Sequence, residues 1–211
     1  SKINLHQEAS NAVCLFNGKY YFGTDKRLEI KDSATGKFIY DDLAKYLEKN
    51  RIRYLYKDLA DNLWICSYGD KGLVKYSKNG NIQLVSKGDL SQFNFRCITN
   101  VDKENLVAGT KANGILFLNS DGTTNLVDDE DGLSNLQILS LYVDAEKNVY
   151  AGTDGGGIYV LKDQKIVKHI DRSSGLTSDV IMKIVPYKDK GTFLVTSNSL
   201  CYMENDSVVP L

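Results

Sequence analysis

The sequence predicts an all-β fold, a β-propeller of four-stranded blades built from about five repeats of 43 residues and part of a larger array. Three observations carry that prediction. Five short segments look alike: 20–24 (YYFGT), 63–67 (LWICS), 106–110 (LVAGT), 149–153 (VYAGT) and 193–197 (FLVTS), their last residues 43, 43, 43 and 44 positions apart. An apolar pair recurs in step with them, Ile52/Leu55, Phe95/Ile98, Ile138/Leu141 and Ile181/Ile184, each first member 28 residues after the preceding Thr or Ser. The apolar runs are too short for helices and rich in Val, Ile, Tyr and Phe, in a chain with 17 Gly, 13 Tyr and only 2 Pro. A four-stranded unit of this length cannot bury both its faces alone, so units stack as blades.

Within each unit the elements follow in order. The apolar pair marks the first strand, and an Asp closes it at Asp58, Asp102 and Asp144. A turn rich in Asn, Asp, Lys and Gly comes next, at 61–62, 103–105, 146–148 and 189–191. The look-alike segment is the second strand. Gly23, Gly109 and Gly152 near its end leave room for a neighbouring blade, with Cys66 and Thr196 in their place in the other two copies. The hydroxyls of Thr24, Ser67, Thr110, Thr153 and Ser197 are expected to bond backbone at the strand-to-turn transition. A third run follows (72–76, 114–118, 157–161, 199–203), then a fourth (81–86, 123–128, 165–170). Segment 41–50 has helical spacing at Leu43, Tyr46 and Leu47 and predicts a turn or two of helix.

These spacings describe one domain over 1–211, with repeats at 12–51, 52–94, 95–137, 138–180 and 181–211, and 1–11 as the outer strand of a neighbouring or closing blade. Segments 1–6 and 207–211 both read as fourth strands. The expectation is therefore blades missing on one or both sides, the alternative being a closed five-bladed ring with one redundant strand.

Composition excludes several classes. Of 211 residues, 26 are Lys or Arg and 27 Asp or Glu, a net charge of −1, which argues against nucleic acid as a partner. No run of 18 apolar residues occurs, so no membrane insertion is expected within the chain. Cys14, Cys66, Cys97 and Cys201 form no CxxC and fit no zinc spacing; each lies in an apolar run and reads as a buried thiol. No cofactor and no metal are expected.

Segments 138–158 (ILSLYVDAEKNVYAGTDGGGI) and 52–73 (IRYLYKDLADNLWICSYGDKGL) resemble the repeats of two-component regulator propellers. The resemblance rests on an Ile-x-x-Ile-x-x-Asp strand, a Gly-Asn-Leu-Trp-Ile-Gly-Thr strand, a Gly-Gly-Leu turn and a Gly-Leu-Ser-Asn linker. The linker is matched by 131–135 and 174–179. The chain departs from the pattern in having a single Trp, Trp64, and Cys66-Ser67 and Thr196-Ser197 in place of Gly-Thr. The resemblance implies the extracytoplasmic (periplasmic or cell-surface) sensing region of a membrane-anchored bacterial receptor, with a histidine kinase or diguanylate cyclase beyond this chain. It implies no catalysis and a small extracellular ligand such as an oligosaccharide.

In a propeller, the linker into each blade and the turn between its second and third strands open on one face, where ligands bind. The repeat register puts Arg51, Asn94 and Gln137 at one linker position, Arg53 and Arg96 two residues after Arg51 and Asn94, and Tyr68, Asp154 and Asn198 in the turns. Arg53 and Arg96 are the residue type that clasps a carboxylate or sulfate, and Tyr68 a face on which a sugar stacks. Tyr40, Tyr76, Tyr142, Tyr159 and Trp64 read instead as packing between blades. His6 and His169 occupy matching outer-strand positions and read as structural. The 152–157 glycine run lacks the Lys-Ser/Thr of a P-loop, and the acidic run 128–132 is out of phase with a calcium loop. The alternatives to a sensor are a protein-interaction scaffold and a propeller lyase. Open blade faces predict self-association.

Overall fold

The computed structural model describes residues 9–188, 190–205 and 207–211. It is all-β, with five four-stranded antiparallel sheets of the β-propeller blade type. The chain divides into two compact units, Ser1–Asn94 and Phe95–Leu211.

The first unit holds two blades. Blade 1 is β1 (Ser10–Phe16), β2 (Lys19–Thr24), β3 (Leu28–Asp32) and β4 (Phe38–Ile39). Blade 2 is β5 (Arg51–Lys57), β6 (Asn62–Tyr68), β7 (Leu73–Ser77) and β8 (Ile82–Leu84). The helix expected between them is α1 (Asp42–Tyr46), capped by the Asp41 carboxylate, which accepts from the amides of Leu43 and Ala44. Its Leu43 and Ala44, with Leu47, join Phe16, Tyr21, Ile30, Leu55, Ile65 and Val74 in one core. β1 begins at Ser10, two residues inside the segment read as an outer strand. Residues 1–8 of that segment, with His6, lie outside the described residues, as do Asp189 of the last turn and Asp206.

The second unit holds three. Blade 3 is β9 (Phe95–Asn100), β10 (Leu106–Thr110), β11 (Ile115–Leu118) and β12 (Thr124–Val127). Blade 4 is β13 (Ile138–Val143), β14 (Val149–Thr153), β15 (Ile158–Lys162) and β16 (Lys165–Ile170). Blade 5 is β17 (Ile181–Tyr187), β18 (Gly191–Thr196), β19 (Leu200–Glu204) and β20 (Ser207–Pro210). Alternation along each strand divides its side chains between the preceding and following blade. In blade 4, Leu141, Val149, Ala151, Tyr159 and Leu161 pack toward blade 3, while Tyr142, Tyr150, Ile158 and Val160 pack toward blade 5.

The small residue of the second strand does what its size suggests. A Cβ on Gly23 would stand 2.6 Å from Ile52 Cγ2, on Gly109 2.5 Å from Ile138 Cγ2, and on Gly152 2.7 Å from Ile181 Cγ2. At these three junctions the first Ile of one blade thus nests against the bare backbone of the blade before it.

The hydroxyl after the glycine closes the following turn. Thr110 Oγ1 donates to Gly114 O (2.8 Å) and accepts from Asn113 N (2.8 Å). Thr153 does the same with Gly157 O and Gly156 N, and Thr24 with Arg27 O and Arg27 N. In blade 5 this residue is Thr196, not Ser197: Thr196 Oγ1 donates to Ser199 O and accepts from Ser199 N, and Thr196 pairs with Ile181 as Thr153 pairs with Ile138. Two adjacent hydroxyls had hidden the register. The period is 43 at every step, through Thr24, Ser67, Thr110, Thr153 and Thr196. The glycine position of blade 5 is then Val195. Blade 2 departs from the expectation: its longer turn is closed by Ser67 N donating to Gly72 O, as in the other blades, but the Ser67 hydroxyl is buried without a hydrogen-bond partner among the described residues.

The Asp at the end of the first strand is a turn anchor. Asp58 Oδ1 accepts from the amides of Ala60 and Asn62, and Oδ2 from Trp64 Nε1 at 2.7 Å. Asp102 and Asp144 hold the same turns without an indole. All four cysteines stand as thiols; Cys66, Cys97 and Cys201 are buried and Cys14 is half-buried, on a strand whose neighbours Val13 and Leu15 face solvent. Among the described residues no helix is long and apolar enough to cross a membrane.

Candidate functional site

Every first strand carries a β-bulge at one register. The pairing skips Asn11 in β1, Arg53 in β5, Arg96 in β9, Leu139 in β13 and Met182 in β17. A bulge leaves one residue out of the ladder and re-aims its side chain. The register that placed Arg53 and Arg96 together is therefore a backbone feature of the blade, and what projects from it changes from blade to blade.

In the first unit this feature builds a small polar platform. Arg53 Cζ lies 5.5 Å from the centroid of the Tyr68 ring and Arg51 Cζ 6.0 Å from it, within reach of cation–π attraction. Tyr68 is the last residue of β6 rather than a turn residue, so its ring is held by a strand. Arg51 Nε donates to Asp25 Oδ1 at 2.8 Å across the two blades. Asn11 Nδ2 donates to the same oxygen at 2.8 Å and to Ile52 O at 3.1 Å. The Asn11 hydrogen bond, then the hydrogen bond from Arg51 and the charges of Arg51 and Arg53, hold the Asp25 carboxyl below its ordinary value. Two guanidiniums beside one carboxylate, over an aromatic face, can bind an anion that displaces or supplements Asp25.

The other sequence-predicted residues serve the turns. Asn94 Oδ1 accepts from Gly69 N (2.9 Å) and, beside it, Asn50 Oδ1 accepts from Lys71 N (3.2 Å), which clamps the longer blade 2 turn. In the second unit Gln137 and Asp154 meet through backbone, Asp154 N donating to Gln137 O at 2.9 Å, with both side chains exposed. Asn198 Oδ1 accepts from Thr196 Oγ1 at 3.0 Å. Arg96 is half-buried at its bulge beside Cys97, whose thiol burial pushes up to about 12 against the opposing effect of the Arg96 charge. Asp25 lies in a turn that the repeat register puts on this face, whereas Asn11 was missed: it falls in the segment assigned to a neighbouring blade, and the bulge that turns it toward Asp25 has no signature in residue type.

The glycine run does not cradle an anion, because its amides are spent. Asp154 N, Gly155 N and Gly157 N donate to Gln137 O, Asp179 O and Asp179 O, and Gly156 N to Thr153 Oγ1. The acidic run folds on itself, the Asp128 carboxylate accepting from Glu130 N and that of Asp131 from Asp128 N. His169 stacks on Tyr159 (4.2 Å between centroids, 13° between planes), and its Nε2 lies 2.7 Å from Gly156 O. Trp64 and Tyr159 are buried, and Tyr76 and Tyr142 contact other rings, as packing residues do. Tyr40 departs from that expectation: it is exposed, with its hydroxyl on Glu48.

Two clefts of the second unit lie at the opposite end of the blades. One of about 200 Å³ between blades 3 and 4 contains Asp102 and Lys147; one of about 590 Å³ between blades 4 and 5 contains Tyr142, Tyr150, Lys188, Lys190 and Glu204. None of the eight sequence-predicted residues lines either. Lys147 Nζ donates to Asp102 Oδ2 at 2.9 Å, and this bond, followed by the Asn105 amide, holds the Asp102 carboxyl well below the usual carboxylate range. A depressed pKa contributes stability above the unfolded value of about 4 and loses it as pH falls through the lower folded value. Thermal melts from neutral pH downward should therefore be flat until about pH 4 and then decline. The deficit of Lys147→Ala relative to the parent should narrow along that decline, and a deficit constant with pH would refute the pairing.

Comparison with known proteins gives the fold. No family model matches the chain, and no curated protein does. Solved structures match over nearly its whole length. The extracellular domain of a protein described as a hybrid two-component system, BT3049 from B. thetaiotaomicron, superposes with a TM-score of 0.81 at 20% identity, over 98% of this chain and 28% of that one. The extracellular domain of a protein described as a one-component system, BT4673 from the same organism, gives 0.79 at 18%, over 96% of this chain and 28% of that one. The fold is theirs. It is also that of virginiamycin B lyase from Staphylococcus aureus, with a TM-score of 0.74 at 12% identity over 99% of this chain and 71% of that one. The chain spans just over a quarter of the length of the first two.

Proposed function

We propose that this chain is a non-catalytic sensing region of a bacterial membrane receptor, lying outside the membrane and binding a small molecule such as an oligosaccharide. The observation that carries the reading is the match, over nearly all of this chain, to extracellular domains described as parts of signalling systems. The repeat motifs at 52–73 and 138–158 support it independently. We assign the binding contact in the first unit to Arg51, Arg53 and Tyr68, a charged and aromatic platform suited to an acidic sugar or another small carboxylate or sulfate.

The likeness to a lyase favours a propeller enzyme as the second reading. Such an enzyme needs an acid–base group facing its substrate. His169, the histidine among the described residues, is stacked on Tyr159 and bonded to a carbonyl in an outer strand.

A thermal-shift screen against neutral and acidic oligosaccharides, organic acids and amino acids should yield a stabilising ligand. Arg53→Ala and Tyr68→Ala should each weaken its binding about tenfold, equivalent to about 1.4 kcal/mol, with little change in the melting temperature of the unliganded protein. Unchanged affinity in both variants would remove the platform from the reading. Conversion of the ligand to product would replace sensing with catalysis.

A further inference from the structure

The cleft of about 200 Å³ between blades 3 and 4 has both its walls in the three-blade unit. Two side-chain bonds cross the junction there. Lys147 Nζ donates to Asp102 Oδ2 at 2.9 Å, and Gln164 Nε2 donates to Asn119 Oδ1 at 2.9 Å. The apolar part of the lining includes Phe117, Val149 and Leu161, all buried. The cleft therefore has an apolar floor and a polar rim already ordered by contacts between blades.

The rim contains a strained residue. β15 and β16 are joined by a two-residue hairpin, Asp163-Gln164, with φ of 48° and 64°. Left-handed backbone at both centre positions favours Asn-Gly. The hairpin between β1 and β2 has that pair, Asn17-Gly18, with φ of 45° and 72°. A glutamine where glycine fits best costs the fold energy, and such strain clusters where a side chain is needed. The cross-blade bond uses only one end of the Gln164 amide. Its Oε1 accepts no hydrogen bond among the described residues, and neither does the Asp163 carboxylate beside it. Lys147 has two N–H groups beyond the one on Asp102.

These open groups select the ligand. Gln164 Oε1 and Asp163 accept, and Lys147 donates. A carboxylate or sulfate would satisfy Lys147 but meet the like charge of Asp163. An ammonium would satisfy Asp163 but meet the like charge of Lys147. Hydroxyls both donate and accept, so a small ring bearing several of them answers all three groups, and its C–H face suits the apolar floor. The volume lies below the roughly 300–1,000 Å³ of sites for drug-sized ligands, which limits the occupant to one ring.

We propose that this cleft is a second binding site, which takes a single uncharged sugar ring on Asp163, Gln164 and Lys147. It differs in chemistry from the Arg51, Arg53 and Tyr68 contact, which suits an anion, and it stands whether or not the chain is a sensor.

The test is amide NMR on the full chain, titrated with the methyl glycosides of glucose, galactose and mannose. At least one should produce saturable shifts at Asn119, Asp163 and Gln164, and glucuronate should bind at least tenfold more weakly. Asp163→Asn with Gln164→Gly installs the Asn-Gly pair of the β1–β2 hairpin. This double variant should melt at least as high as the parent and bind the glycoside at least tenfold more weakly. Arg53→Ala should leave that affinity unchanged, which separates the cleft from the platform. Failure of all three glycosides to shift these amides overturns the proposal. So does equal affinity for glucuronate, undiminished affinity in the double variant, or binding that is lost in Arg53→Ala.

Discussion

Replacing Gly109 by Val should destabilise the three-blade unit by about 3 kcal/mol, and by Ala somewhat less. Gly109 lies in extended backbone, so conformational freedom is not at stake; space is. A Cβ there would stand 2.5 Å from Ile138 Cγ2 and 2.8 Å from Cys97 Sγ, and neither side chain can retreat, since Ile138 is wholly buried and Cys97 nearly so. Relief must come from moving β13 away from β10, which opens the core holding Val107, Phe117 and Tyr159. Hydrogen exchange should rise in β10 and β13 together, and the urea midpoint should fall. Pairing Gly109→Ala with Ile138→Ala tests the mechanism. The second substitution removes the methyl group the new Cβ meets, so the double variant should lose about 1 kcal/mol less than the sum of the singles. Strict additivity would mean that the glycine serves its own strand and not the junction.

That glycine also marks how far the sequence could be read. A repeating small residue at fixed spacing is visible in composition, and its role as a seat for the next blade follows from sterics alone. The same spacing located the Asp anchors and the strands of blades 2 to 5, and helical spacing at Leu43, Tyr46 and Leu47 located the helix before blade 2; in blade 1 only β2 was legible. The register failed at Thr196-Ser197, where both residues can supply the hydroxyl and only the pairing with Ile181 decides between them. The candidate site was legible in part for a similar reason. Arg51, Arg53 and Tyr68 come together because their register was correct. Asn94 and Gln137 share the linker position of Arg51, but a linker must also satisfy the backbone of the adjacent turn. The Asn94 side chain and the Gln137 carbonyl are engaged in that work. Residue type cannot separate a polar group that awaits a ligand from one that closes a turn.

The largest effect in the two-blade unit should come from Asp58→Ala, which we expect to cost about 3 to 4 kcal/mol because several buried donors lose their acceptor together. The Asp58 carboxylate is 4% exposed and takes the Ala60 and Asn62 amides, the Asn62 side chain and the Trp64 indole. Trp64 is itself buried, so its N–H has no water to turn to once the carboxylate is gone. Asp58→Asn keeps one carbonyl oxygen for these donors and should fall between the two. The comparison that isolates the indole is Asp144→Ala in blade 4, where a similar turn is held with Tyr150 in place of the Trp and a more exposed carboxylate. That loss should be nearer 1 kcal/mol. Because Trp64 is the single tryptophan of the chain, its emission reports the outcome directly. Asp58→Ala should shift it to the red under native conditions and lower its urea midpoint, while Asp144→Ala should leave the native spectrum unchanged. If the two alanine variants were equally mild, the Asp58–Trp64 bond would be a consequence of blade packing and not one of its supports.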